Sequence, residues 1–214
     1  AIAGEARVLR AQGIRAGVVT NDQGKYLVDS HYFRSLDIPY GEVTGACFCC
    51  HYDQLSDEIE RLNKEDIDVV FAESVGSCTD LVATVLKPLL HYKKTLIDQL
   101  TFTTVVASRL ILRYLHDGYL PFHDDTNYVW KKQIEESEVL MLNQTDQLDD
   151  HSGKSLEALA RENFPKKTLL FQNSLEDTSV RHWLDTLSRC GMTASHKTLD
   201  IDYARYGAGE AQLA

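Results

Sequence analysis

The chain has 214 residues, 43% of them hydrophobic and 25% charged, which is enough apolar content to bury one substantial core. With 22 Lys and Arg against 32 Asp and Glu its formal net charge is −10, so no basic stripe exists for a nucleic-acid backbone and the balance suits a protein that handles cations. No apolar run approaches the roughly 20 residues that span a bilayer, and no charged n-region leads into a hydrophobic stretch, so neither a membrane partner nor secretion is expected.

Residues 2–12 carry a helical apolar pattern, and 14–20 (IRAGVVT) read as a buried strand running into Thr20-Asn21-Asp22-Gln23-Gly24. Asp22 at that strand end can hold a hydrated Mg2+, although Asx and Gly residues also make plain turns. Next comes Gly41-Glu42-Val43-Thr44-Gly45-Ala46-Cys47-Phe48-Cys49-Cys50-His51. Three of the five cysteines, with Glu42 and His51, fall within ten positions. Disulfides between such close neighbours would close small, strained rings. Free clustered thiols instead point to a reducing cytoplasm and to a soft or borderline divalent cation such as Zn2+. His51 is a further candidate ligand.

A helix over 52–64 follows, with Asp53, Ser56 and Glu58 ahead of its apolar rows, and then a strand over 68–73 (DVVFAE). That strand ends on Glu73, with Gly76 three residues on. A nucleoside triphosphatase uses this arrangement to place an acid near Mg2+ and mobile backbone near the γ-phosphate; a helix-capping acid reads the same way. Cys78 opens a helix over 79–91, as a small buried thiol or as a fourth metal ligand. A strand over 101–107 leads to a run holding His116, His123, Asp124 and Asp125, read as a solvated loop, and to a helix over 126–136.

The strand over 138–143 ends Asn143-Gln144-Thr145-Asp146. In Asn-x-x-Asp the Asp accepts from the N1–H and N2 amine of guanine, donors that adenine lacks, while the Asn secures the loop. An Asx-rich turn is the plainer alternative. A helix over 153–163 begins near Gly153-Lys154-Ser155. A strand over 168–172 then ends near Ser174, and a helix over 178–189 has Thr178 or Ser179 as candidate caps. Alternation of strand and helix over this length predicts an α/β, doubly wound, mostly parallel sheet with helices on both faces.

The Cys47-x-Cys49-Cys50 box preceded by Glu42, together with Thr20-Asn21-Asp22, Glu73-x-x-Gly76 and Asn143-x-x-Asp146, resembles the CobW-type metallochaperone P-loop GTPases, kin to the nickel-insertion GTPases of urease and hydrogenase maturation. The resemblance runs from residue 1 to about 211. It implies a GTP-hydrolysing metallochaperone that couples nucleotide to transfer of Zn2+, or another divalent transition metal, to a client metalloprotein, with a homodimer as a further partner. By position it implies Cys47, Cys49, Cys50 and Glu42 on the metal. Asp22 and Glu73 would serve Mg2+ and water, and Gly76, Asn143, Gln144, Asp146 and Ser174 would hold GTP.

Gln144 departs from the family's Lys. The family's Gly-rich loop ending Gly-Lys-Ser/Thr occurs nowhere in these residues, because Gly153-Lys154-Ser155 has neither the earlier Gly nor a leading strand. The expectation is therefore that the loop and the first strand lie ahead of Ala1, and that this chain alone is inactive. Residues 1–195 would form the GTPase-like domain, and 196–214 the start of a connection to a C-terminal domain. The alternative reading is a non-catalytic metal-binding scaffold or sensor on a decayed GTPase fold.

Overall fold

A computed structural model of the chain describes residues 1–22, 28–193 and 196–213. The apolar run after helix α1 (Ile2–Ala11) forms β1 (Ala16–Asp22), whose successive side chains leave on opposite faces. Val18 enters one core and Val19 another, and both are fully buried. Helix α2 (Val28–Ser35) leads to β2 (Tyr40–Thr44), which runs parallel to β1 on one side. After α3 (Tyr52–Lys64), β3 (Val69–Glu73) runs parallel to β1 on the other side. The register aligns Thr20 with Glu42 on β2 and with Glu73 on β3.

A π-helical turn at Val82–Leu86 continues as α4 (Lys87–Tyr92) and brings the chain to the second sheet. There β4 (Thr103–Ala107), β5 (Val139–Asn143) and β6 (Thr168–Gln172) lie parallel in that order. Helices α5 (Ser108–Asp117), α6 (Asp124–Glu136), α7 (Asp150–Asn163) and α8 (Asp177–Leu187) are the connections, and α9 (Tyr203–Leu213) comes last.

The fold class read from the sequence is the one observed: all strand pairs are parallel and helices flank them. The sheet differs in one respect. It is two three-stranded sheets, β2-β1-β3 and β4-β5-β6, and among the described residues β3 and β4 each pair along one edge only. A single core joins them, because Val18 and Phe71 of the first sheet pack with Val139, Met141 and Leu170 of the second, against Trp183 of α8. The alternate residues Leu140 and Leu142 fill a separate core under α5 and α7.

Three elements were not anticipated. In β2 (YGEVT) only Gly41 and Val43 are buried, so it lacks the long apolar run of the other strands. Helices α2 and α5 occupy segments taken for connections, whereas α9 forms where the final segment (YARYGAGEAQLA) reads as helix-like. The cap expected at Thr178 or Ser179 is not used; both lie in the first turn of α8, whose N-cap is Glu176. Gly153-Lys154-Ser155 sits inside the first turns of α7, capped by Asp149 accepting from the Ser152 amide at 2.8 Å, so a helix start is what that tripeptide forms. No helix among the described residues is long and apolar enough to cross a membrane.

Candidate metal and nucleotide site

β2 turns sharply after Thr44 at Gly45, whose φ of 83° favours a residue without Cβ. A tight turn follows, with the Cys50 and His51 amides donating to the Cys47 carbonyl at 3.0 and 2.9 Å. The turn is tied to the first sheet by Asn21 at the end of β1. Its buried Nδ2 donates to the carbonyls of Val43, at 3.0 Å, and Ala46, at 2.8 Å. The sequence offered Asn21 as a turn former; its role as an anchor for the thiol loop becomes visible only once β1 and β2 are known to be neighbours.

The turn brings Cys47, Cys49 and Cys50 together, with their sulfurs all within 4.8 Å of one another, and Cys47 Sγ stands 2.6 Å from Cys49 Sγ. Cys47 is buried, Cys49 half-buried and Cys50 exposed, so the group opens to solvent on one side. Cys78, buried just beyond Gly76, meets them from the β3 side. Its hydrogen bond to Cys49 is the largest influence on the Cys49 thiol, which is lowered to about 5 against the opposing effect of burial. Burial, reinforced by the bond to Cys49, pushes Cys47 up to about 12. Cys78 is raised as well, by its bond to Cys49 and then by burial. Cys49 is therefore favoured as the thiolate over Cys47 and Cys78. A soft cation would find one thiolate formed and three donors beside it, with protons to release on binding.

Two candidate ligands fall outside this group. His51 Nδ1 lies 3.0 Å from the Thr44 carbonyl. Glu42 alternates with Val43, which faces the core containing Cys47, so its side chain leaves β2 on the other face. There it aligns with Thr20 and Glu73. The structure thus separates Glu42 from the thiols and sets it with the Glu73 row. Thr20 Oγ1 in that row and Asn21 Oδ1 beyond it are buried oxygens without a hydrogen-bond partner. The Asp22 side chain lies outside the described residues, and its backbone ends β1.

At the second sheet, Asn143 ends β5 and Ser174 follows β6. Asn143 Oδ1 accepts from the Ser174 amide at 3.1 Å and from its hydroxyl at 2.9 Å, while Ser108 Oγ donates to the Asn143 carbonyl at 2.7 Å. Gln144 adopts a left-handed φ of 64°, which turns the chain into a short 3-10 helix at Thr145–Gln147 and leaves Asp146 exposed. Asn143 thus ties the loop after β5 to the loop after β6; the sequence names both residues, and their pairing follows from β5 and β6 being neighbours. Gly76 is exposed, and a Cβ there would meet nothing within 4 Å.

The family model for the CobW/HypB/UreG nucleotide-binding domain matches residues 5–171. The chain belongs to the CobW/HypB/UreG family. Two solved structures share the fold of this CobW/HypB/UreG member. One is HypB from Helicobacter pylori, solved in complex with nickel, with a TM-score of 0.54 and 10% identity over 87% of this chain and 79% of that one. The other is the hydrogenase maturation factor HypB from Archaeoglobus fulgidus, with a TM-score of 0.50 and 14% identity over 87% and 84%. No curated protein matches the chain.

Proposed function

We propose that this CobW/HypB/UreG domain serves a metallochaperone that hydrolyses GTP and couples its nucleotide state to the transfer of a divalent transition metal, zinc or a near neighbour, to a client metalloprotein in the cytoplasm. The observation that carries the reading is the convergence of Cys47, Cys49 and Cys50 on one point, with Cys78 beside Cys49, at the end of a strand that also borders the nucleotide motifs. The metal is cargo, held by the thiols and released to the client.

GTP would be read at Asp146, on a loop held by Asn143 and Ser174, with Gln144 in place of a stacking Lys. Glu73, with Asp22 and Gly76, would attend the γ-phosphate end. The donor set suits Mg2+, since Glu42, Glu73 and the unpartnered Thr20 Oγ1 are hard oxygen ligands in one row at the strand end. When bound, Mg2+ neutralises charge on the phosphates. The contribution of this chain is to hold that row of oxygens rigid through the β2-β1-β3 ladder. Among the described residues β3 and β4 each pair along one edge only, so each sheet keeps an edge on which a further strand could pair.

The test is GTP turnover by the full-length protein with and without stoichiometric Zn2+, repeated with Cys49→Ser. A rate that changes with Zn2+ in the wild type and loses that response in the variant supports coupling; equal rates in all four conditions refute it. Full-length protein that binds Zn2+ but shows no binding of a fluorescent GTP analogue would favour the scaffold or sensor, the reading to which Gln144 lends weight.

A further inference from the structure

Helix α9 lies directly against α6. Gly209 is buried, and a Cβ on it would fall 2.4 Å from the Asp125 carbonyl oxygen, a separation that no larger residue tolerates. Arg205 Nε donates to Asp125 Oδ1 at 3.1 Å, with its guanidinium 4.5 Å from the centre of the Tyr128 ring, and Thr126 Oγ1 donates to Gln212 Oε1 at 3.0 Å. The helix also reaches across to the segment that carries Cys78. Tyr203 OH donates to Asp80 Oδ2, and the Thr79 amide points to Tyr206 OH at 3.5 Å. Asp80 is almost fully buried, with a left-handed φ of 62°. An Asp held in that conformation needs its surroundings to keep it there.

α6 grips the same segment from its other end. Gln133 Nε2 donates to the carbonyls of Gly76, at 2.7 Å, and Cys78, at 2.8 Å, and buried Glu136 accepts from the Val82 amide at 2.7 Å. Residues 76–82 are thus fastened to the α6–α9 pair, while the Cys78 thiol contacts Cys49. A contiguous path of hydrogen bonds and packed side chains joins the sulfur cluster to the last helix.

We propose that α9 is a latch on the thiol site: occupancy of Cys47, Cys49 and Cys50, against which Cys78 packs, by a divalent transition cation and docking of α9 on α6 strengthen one another through Tyr203 and Tyr206. The latch rests on the metal reading above and adds to it a way for cargo to be sensed about one helix away. A cation that fixes Cys78 fixes Thr79 and Asp80, the residues on which the two phenols land. Reciprocity then requires that an undocked α9 weaken the cation by the same factor.

Co2+ alone serves as the probe, because thiolate ligation gives it an intense charge-transfer band. Its affinity and the hydrogen exchange of residues 203–213 are measured in the wild type, in Tyr203→Phe/Tyr206→Phe, which removes only two hydroxyls, and in Gly209→Val, which forces the helices apart. The expected result is slower exchange in α9 on Co2+ addition, by about tenfold, and a Co2+ affinity about tenfold weaker in both variants, within the usual range of coupling between sites. Co2+ bound with equal affinity by all three proteins, with unchanged exchange in α9, overturns the latch and leaves the metal reading standing. A wild type without the charge-transfer band overturns both.

Discussion

Asn21→Leu is the substitution that bears most directly on how the thiol loop is held. Leu is close to isosteric with Asn, so the buried volume at the end of β1 is kept while both donors to the Val43 and Ala46 carbonyls are lost. Each such bond contributes about 1–1.5 kcal/mol net, and an orphaned acceptor costs more. Against this, Asn21 Oδ1 is itself buried without a partner, and its removal returns about 1 kcal/mol. The balance is a destabilisation of about 1–2 kcal/mol, read as a shift in urea midpoint at constant slope. Because the lost bonds clamp the turn between Val43 and Ala46 that leads into the thiols, the freed loop must be ordered again when a cation binds. If about 1.4 kcal/mol of that ordering reappears in binding, Co2+ affinity falls about tenfold. An Asn21→Leu protein with unaltered Co2+ affinity would show that the loop is held by its own turn and the packing of Phe48, and the anchoring argument would fail.

Other consequences can be measured independently. Glu5 on α1 is fully buried, both its oxygens lack partners, and burial raises its carboxyl to about 7 from 4.5. The folded state therefore holds the proton more tightly than the unfolded chain. The associated stability, about 3 kcal/mol, is complete below pH 4.5 and is lost as pH rises through 7. Glu5→Gln should match the wild type near pH 4.5 and exceed it by up to that amount at pH 8 in chemical denaturation; parallel profiles would refute the assignment. Cys49, lowered to about 5, should be alkylated at pH 6.5 well before Cys47 and Cys78, and peptide mass spectrometry after limited iodoacetamide gives the order. In the full-length protein Asp146→Ala should weaken GTP by tenfold or more while leaving ATP unaffected, since a guanine-specific acceptor is removed; equal losses for both nucleotides would count against base reading there.

How much of this was legible in the sequence depends on whether the signal was local. The strands at 69–73, 139–143 and 168–172 appear within a residue or two of their apolar runs; β5, at the centre of its sheet, is buried along the whole of that run, which demands continuous hydrophobicity. β2 escaped notice since YGEVT has only one buried residue larger than Gly, and it is strand by virtue of pairing with β1. The CFCC box announced itself by composition, and the structure does bring its sulfurs together. Glu42 looked equally well placed by spacing, yet strand parity sends it to the other face. Parity could be applied only once residues 40–44 were known to be extended. Cys78 is the opposite case: it lies 28 residues beyond Cys50 and reaches Cys49 because β3 runs beside β1. α9 gave no signal of its role, since its contacts are made to side chains of α6 far back in the chain.

The end of β1 carries both the row proposed for the phosphates and the anchor of the thiol loop. Thr20 and Asn21 are adjacent, about 3.3 Å apart along the strand, and face opposite sides of the sheet. Thr20 stands between Glu42 and Glu73 in the row proposed for the phosphate end, and Asn21 grips the loop that carries the thiols. A rotation or slip of that strand end cannot alter one side without moving the other, because the same backbone carries both. The row further extends through Glu73 to Gly76 and Cys78, so the segment following β3 touches both sites again. The loop after β2, which carries the sulfurs, and the segment after β3, which carries Cys78, thus meet at the cluster, and Glu42 and Glu73 of those two strands stand in the proposed row. Coupling through this geometry requires no long path, only that the two strand ends take up two arrangements instead of one.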